Sequence, residues 1–256
     1  MGRLRAVAPP LVAGVVLVLL WQGVLTALDP EGFVLPTPTD IGAAIVDDFS
    51  AIRTGALNTG FVAVSGLLAG MVLGVLAALA VTAFRTAGEV ITPLAVAVNA
   101  IPIIALAPIF NAWFGLLSPR SNQMVVVVLV FFPIFINTAR GLTEVDESQL
   151  ELMDSYAAGR WRVIRDVRIP NALPFFFTAL KLSTSLAVIG AIVAEYFGGR
   201  QDALGPIITQ NAGLTRYAEA WAAVAAGALL GGLLYAIATL LERLLVPWDT
   251  SRPAEP

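Results

Sequence analysis

The stretch TGALNTGFVAVSGLLAGMVLGVLAALAVTAF, Thr54 to Phe84, contains no Asp, Glu, Lys or Arg. About 20 apolar residues, rising about 1.5 Å each, cross a hydrocarbon core of ~30 Å, so this run can hold a membrane-spanning helix. Similar uncharged runs lie on either side: Ala6 to Leu28, Val90 to Pro119, Ser121 to Ala139, Ile169 to Ala194 with only Lys181 inside, and Ala220 to Leu241. Together they predict an all-α integral membrane protein forming one domain over residues 1–256, with six spans near 8–28, 56–84, 90–112, 122–139, 170–197 and 218–246.

Composition agrees with the runs. Hydrophobic residues make up 58% of the chain and charged residues 13%, against roughly a quarter charged in soluble domains. There is no Cys and no His, which removes disulfides, thiolate and imidazole metal sites, and Cys or His catalysis. The only lysine, Lys181, sits between leucines and not at the end of a phosphate-binding loop, so any ATP is hydrolysed by another chain. A net charge of −3 gives no reason to expect nucleic acid as a partner.

Arginines predict the orientation, because positively charged loops stay in the cytoplasm. With both termini inside, Arg3, Arg5, Arg85, Arg140, Arg160, Arg162, Arg165, Arg168, Arg243 and Arg252 are cytoplasmic, whereas Arg53, Arg120, Arg200 and Arg216 are external. The N-terminal run reads as a retained first helix, with no small-x-small cleavage site followed by a polar domain. After it, Leu35-Pro36-Thr37-Pro38-Thr39-Asp40 precedes an amphipathic stretch, Ile41 to Ile52. Thr39 or Asp40 is expected to cap a short helix there, resting at the external interface.

Within the spans, Gly66, Gly70 and Gly74 share one face, as do Gly227 and Gly231, and glycine there lets another backbone approach closely. Pro93, Pro102, Pro108 and Pro133, with Asn99, Asn111 and Asn137, suggest broken, polar-dotted helices of the kind that line a path. Asn99, Pro102, Asn111, Trp113, Asn137, Lys181 and Glu195 are therefore the candidate path residues, although each asparagine could equally serve a helix kink. Trp113 could stack on a ring or anchor the chain at the interface. Lys181 and Glu195 lie ~21 Å apart along one helix and cannot pair directly. No deep carboxylate cluster marks a coupling-ion site, which counts against a stand-alone secondary transporter or channel.

The longest cytoplasmic segment runs from Asn137 to Pro170. Asp146, Glu147 and Ser148 suit a helix N-terminus, and Leu150, Met153, Ala157, Trp161 and Ile164 follow at three- and four-residue steps, predicting a helix near 147–160 with one apolar face that needs a partner. The arginines after it read as a topology and lipid-headgroup feature.

This segment resembles that of the permease subunits of bacterial binding-protein-dependent ABC importers. Their signature is Glu-Ala-Ala, three residues, Gly, nine residues, then Ile-x-Leu-Pro. Its match begins at Glu151; Leu152 and Met153 replace the alanines, Ala157 replaces the glycine, and Val167, Ile169 and Pro170 close it. Gly159 is expected to supply the flexibility that Ala157 lacks. Leu35-Pro36-Thr37-Pro38, Ile101-Pro102, Trp113-Phe114-Gly115, Phe132-Pro133 and Glu195-Tyr196-Phe197-Gly198-Gly199 resemble the branch importing nitrate, sulfonates, taurine and thiamine or riboflavin precursors.

The resemblance implies a type I importer permease fold in the inner membrane. It implies two permease chains, a homodimer, around a central path, two ATP-binding subunits and an extracytoplasmic substrate-binding protein meeting external loops such as Gly198 to Tyr217. The short helix becomes a coupling helix docked in an ATPase groove, with Glu151, Met153, Asp154, Ser155, Tyr156, Ala157, Ala158, Gly159 and Arg160 transmitting the motion. This chain would bind no cofactor, ATP and Mg residing on the partner. For substrate the likeness leans to a small nitrogen heterocycle such as a pyrimidine vitamin precursor, then to sulfonate, taurine or nitrate.

Overall fold

The structure is a computed structural model and describes residues 2–28, 35–84 and 102–248. Asn99, Pro93, Arg85, Arg252 and the first half of the expected third span lie outside the described residues. Helices account for all the regular structure among the described residues. In chain order they are α1 (Gly2–Leu28), α2 (Pro38–Asp47), α3 (Phe49–Ala83), α4 (Ala107–Phe114), α5 (Pro119–Thr143), α6 (Glu147–Ser155), α7 (Arg160–Val163), α8 (Ile169–Glu195), α9 (Leu204–Gly213) and α10 (Tyr217–Leu245). A 3-10 turn, Ile103–Leu106, leads into α4.

Among the described residues, four helical stretches are long and apolar enough to cross a membrane: Phe49–Ala83, Pro119–Thr143, Arg160–Glu195 and Tyr217–Leu245. Val12–Ala27 and Ile104–Phe114 are shorter apolar helices. At 35 residues α3 is about 52 Å long, so it must project beyond a ~30 Å hydrocarbon core, and its first turns carry the polar Ser50, Arg53 and Asn58.

The helix before α3 is capped by Thr37, not by Thr39 or Asp40. Asp40 N–H donates to Thr37 Oγ1 at 3.2 Å while Thr37 N–H donates to Asp40 Oδ2 at 3.2 Å, a reciprocal capping box. Pro38 explains the register: proline fits the first helical position, where its missing N–H costs nothing. The apolar face of α2 turns onto protein, with Ile41, Ala44 and Ile52 clustered on Ala222 of α10. Trp21 of α1 meets Trp221 of α10 edge-on at 6.0 Å.

At the centre, α5 runs between α3 and α8. Val126, Val130 and Ile134 of α5 are fully buried against Val62, Ala63 and Leu67 of α3 and Phe177, Ala187 and Ala191 of α8. Glycine makes the approach of α3 possible: a Cβ on Gly66 would stand 2.6 Å from Val126 Cβ, and one on Gly70 2.8 Å from Val127 O. Gly74 likewise faces Ile134 and Phe131 O, both at 3.0 Å. On α10, Gly227 faces Ile192 at 2.7 Å, whereas Gly231 has nothing within 4 Å and borders a groove of about 410 Å³ between α8 and α10.

Proline does not interrupt the long helices. Helix α5 continues through Pro133, with Asn137 Nδ2 donating to the Pro133 carbonyl at 2.8 Å, and α8 continues through Pro174, whose carbonyl accepts from Thr178 Oγ1 at 2.9 Å. The carbonyls that the two prolines leave without an N–H partner are those of Leu129 and Pro170, one turn earlier, and the helices run on past them. A π turn, Ile164–Arg168, joins α7 to α8, and Ile169 N–H reaches back to Ile164 O. Pro170 has no N–H for the Asp166 carbonyl, so a wider turn at this point forfeits little.

Candidate functional site

The connection between α5 and α8 is built from the ends inward. Asp146 Oδ1 accepts from Ser148 N–H at 2.9 Å and from Ser148 Oγ at 2.8 Å, which caps α6. The same side-chain and backbone hydrogen bonds from Ser148 hold the Asp146 carboxyl below its ordinary range. Helix α6 ends at Ser155, short of the expected residue 160. Ala158 N–H bonds Met153 O at 3.0 Å and Ala157 N–H bonds Asp154 O at 2.9 Å, the pair of contacts that defines a Schellman motif.

Ala157 therefore occupies the left-handed position of that motif, at φ 49°. Gly159 does not supply the turn: it sits at φ −64°, ψ 156°, and precedes α7 as its N-cap. The glycine of the family signature is needed where Ala157 stands, because the hydrogen-bonded cap requires positive φ at that residue and not two residues later.

The turn also breaks the apolar face expected to run from Leu150 to Ile164. Leu150 and Met153 are half-buried on the inner side of α6. Leu152, Tyr156 and Trp161 are 55%, 72% and 80% exposed, and no residue of α6 is buried. Glu151, Asp154 and Ser155 are exposed beside them, Ser155 Oγ donating to Leu152 O at 2.7 Å.

Donors from the far side of the turn tie this unit to helix C-termini, where carbonyls lack intrahelical partners. Arg160 donates to Ala83 O at the end of α3. Arg168 donates to Leu142 O at 3.0 Å, and Asn171 Nδ2 donates to Gly141 O at 2.8 Å and Glu144 O at 2.9 Å, all at the end of α5. The sequence pattern did not indicate these anchors, because a donor carries no mark of which distant carbonyl it will meet. Behind α6 opens a cavity of about 800 Å³, lined by Asn137, Arg140, Gln149, Met153, Asn171 and Trp248 among others.

The structure separates the candidate path residues. Pro102 precedes the 3-10 turn. Asn111 is buried on α4 and donates to Phe197 O at 3.0 Å, whereas Trp113 is 70% exposed and meets Phe110 edge-on. Lys181 forms a bidentate ion pair with Glu242 of α10, at 2.9 and 3.0 Å, with side chains 22% and 7% exposed. Glu195 is 3% exposed; its Oε2 accepts from Thr59 Oγ1 at 3.0 Å and Gly205 N–H at 2.9 Å, while Leu204 N–H donates to Thr59 Oγ1 at 3.0 Å. Asn111 and Glu195 thus meet around one turn, while Asn137 borders the cavity behind α6 and Lys181 lies in the α8–α10 seam. Sequence reasoning missed Glu242, Thr59 and Asn122. Glu242 lies one residue beyond the last uncharged run, while Thr59 follows Asn58 and Asn122 stands between Ser121 and Gln123, uncharged polar residues that nothing local singles out.

Residues 70–248 match the family described as the binding-protein-dependent transport system inner membrane component. The chain is 32% identical over 253 residues to the formylaminopyrimidine transport permease protein of Halalkalibacterium halodurans, covering 97% of this chain and 98% of that protein. It is 31% identical over 240 residues to the riboflavin transport system permease protein of Chloroflexus aurantiacus, covering 92% and 88%. With the putative aliphatic sulfonates transport permease protein of Bacillus subtilis it shares 28% identity over 253 residues, covering 92% and 86%. The long apolar helices, the short α6 helix between α5 and α8 and these matches agree: the chain belongs to the binding-protein-dependent transport system inner membrane components, as the non-catalytic permease subunit of an ABC importer.

Proposed function

We propose that this permease imports a small organic molecule, with α6 as its coupling helix and a formylaminopyrimidine-like or other nitrogen-heterocyclic vitamin precursor as its cargo. Six spans, both termini in the cytoplasm and a homodimer of permease chains complete the reading, with one ATPase subunit against each α6 and a binding protein on the opposite side. The two relatives at 31% and 32% identity carry riboflavin and formylaminopyrimidine in their names, and both cargoes are planar nitrogen heterocycles. Sulfonate, taurine and nitrate come next.

One observation carries the coupling role. Helix α6 has no buried residue, and Leu152 on it, Tyr156 at its C-cap and Trp161 on α7 are exposed, yet Arg160, Arg168 and Asn171 anchor the neighbouring backbone to the ends of α3 and α5. An exposed apolar ridge wants a groove, and a rigid root transmits what the groove does. Force applied to α6 reaches the long helices without passing through a flexible linker.

The test is purification of the chain in mild detergent with its ATPase, followed by reconstitution with the binding protein. Tyr156→Arg is expected to lose the ATPase on purification, and to lower substrate-stimulated hydrolysis by about tenfold or more, since hot-spot side chains contribute ~2 kcal/mol and upward. Retention of the ATPase and unchanged stimulation would remove α6 from the docking surface. Uptake of labelled formylaminopyrimidine, riboflavin, an aliphatic sulfonate and nitrate by the reconstituted system decides the cargo, and preference for either anion would overturn the heterocycle reading.

A further inference from the structure

Three buried oxygens around one turn have no hydrogen-bond partner: Glu195 Oε1, Asn122 Oδ1 and Asn111 Oδ1. Their residues are 3%, 1% and 8% exposed. The turn is Tyr196 to Gly199, between α8 and α9. Asn111 Nδ2 donates to Phe197 O at 3.0 Å and Asn122 Nδ2 to Gly198 O at 2.9 Å, so both amides are oriented by their nitrogens and their oxygens are left over. A Cβ on Gly199 would stand 2.4 Å from Asn122 Nδ2 and 3.8 Å from Glu195 Cγ, which puts both side chains beside the same glycine. A Cβ on Gly198 would stand 2.7 Å from Asn111 Nδ2, so the third side chain borders the adjoining residue.

The donors at hand are already used. Thr59 Oγ1 and Gly205 N–H both go to Glu195 Oε2, and Gly205 lies in the first turn of α9, the positive end of that helix. Both donors are neutral. Among the described residues no Lys or Arg forms an ion pair with Glu195; Arg200 pairs with Asp202 and Lys181 with Glu242. A helix terminus offsets only about half a unit of charge. A carboxylate in a dry site requires fuller compensation, and the two amide oxygens require donors as well.

A proton on Oε1 supplies a single hydrogen bond and satisfies at most one of the amide oxygens. A metal ion coordinates several oxygens at once. Carboxylate and amide carbonyl oxygens are hard ligands suited to alkali and alkaline-earth ions, and one carboxylate charge matches one positive charge. We propose that the turn between α8 and α9 binds one small monovalent metal cation of the sodium class, held by Glu195 Oε1 and the side-chain oxygens of Asn122 and Asn111. Such an ion would fasten α9 and the turn to α4 and α5. It would be resident and not transported, because the groups that hold it also hold the backbone of the turn.

The test uses the full chain purified in detergent and does not depend on the importer's cargo. Thermal unfolding is followed in sodium, potassium and choline chloride at equal ionic strength, and radioactive sodium is measured by equilibrium dialysis. The expected result is one sodium bound per chain, with a saturable Tm rise of about 3–6 °C over choline. Glu195→Gln keeps the side chain's shape and is expected to abolish both the sodium binding and the Tm difference. The dialysis on the unaltered chain decides the matter even if that variant fails to fold. No retained sodium, a Tm equal in all three salts, or stabilisation that follows pH and ignores sodium would overturn the proposal.

Discussion

Ala157 is held at φ 49° by two hydrogen bonds that only a left-handed residue can complete, and a side chain with a Cβ pays about 1–2 kcal/mol for that conformation. Ala157→Gly is therefore expected to stabilise the turn by about 1 kcal/mol, read as slower amide exchange at Ala157 and Ala158. Gly159→Ala, at φ −64° with nothing within 4 Å, is expected to leave that exchange unchanged. The Asp146 cap has a depressed carboxyl value, so its contribution to α6 is present above the unfolded carboxyl range and is lost as pH falls through the lowered folded value. Circular dichroism should show no α6 change between pH 6 and 8, while Asp146→Ala should fray the helix at both and Asp146→Asn much less. The identities that make this site were visible in the sequence, from Asp146 through Arg160. What was not visible was which residue bends: the signature's glycine position and the nearby Gly159 both offered a turn, and only the hydrogen bonds from Ala157 and Ala158 choose between them.

Among elements, the α3–α5 seam depends on missing side chains. A Cβ at Gly66 or Gly70 meets backbone or a β-branched Val at under 3 Å, and neither can move aside. Gly66→Leu is expected to cost about 1–3 kcal/mol or more and to reduce the yield of folded protein in detergent, whereas Gly231→Ala, with open space around it, should not. The α8–α10 seam depends instead on charge. Lys181→Met removes one partner from a largely buried ion pair and is expected to destabilise by about 3 kcal/mol; Lys181→Met with Glu242→Met should recover most of that loss. A thermal-unfolding double-mutant cycle measures the difference. The glycine spacing was legible as a periodic pattern, since a helix repeats its faces every three to four residues. Periodicity says that a face is smooth and nothing about what lies opposite, which is why Gly227 turns out to be packed and Gly231 to border a groove.

At the scale of the whole molecule, the anchors from Arg160 to α3 and from Arg168 and Asn171 to α5 make the α6 unit and the long helices one mechanical piece. Arg160→Ala is expected to leave ATPase binding intact while lowering the transport obtained per ATP hydrolysed in reconstituted vesicles; equal loss of both would mean that Arg160 belongs to the docking surface itself. The sequence by itself determined that the chain is helical and belongs to a membrane, and that a short helix, α6, lies between two of its long apolar runs. These are local consequences of a solvent that cannot hydrogen-bond to backbone, so that each apolar run must satisfy its own N–H and C=O groups. Only the tertiary structure decided which polar groups meet. Lys181 finds Glu242 across 61 positions and Thr59 finds Glu195 across 136, contacts between helices that no local pattern announces. Inside an apolar bundle every such group must find a partner, and its choice depends on how the helices pack and not on its neighbours along the chain.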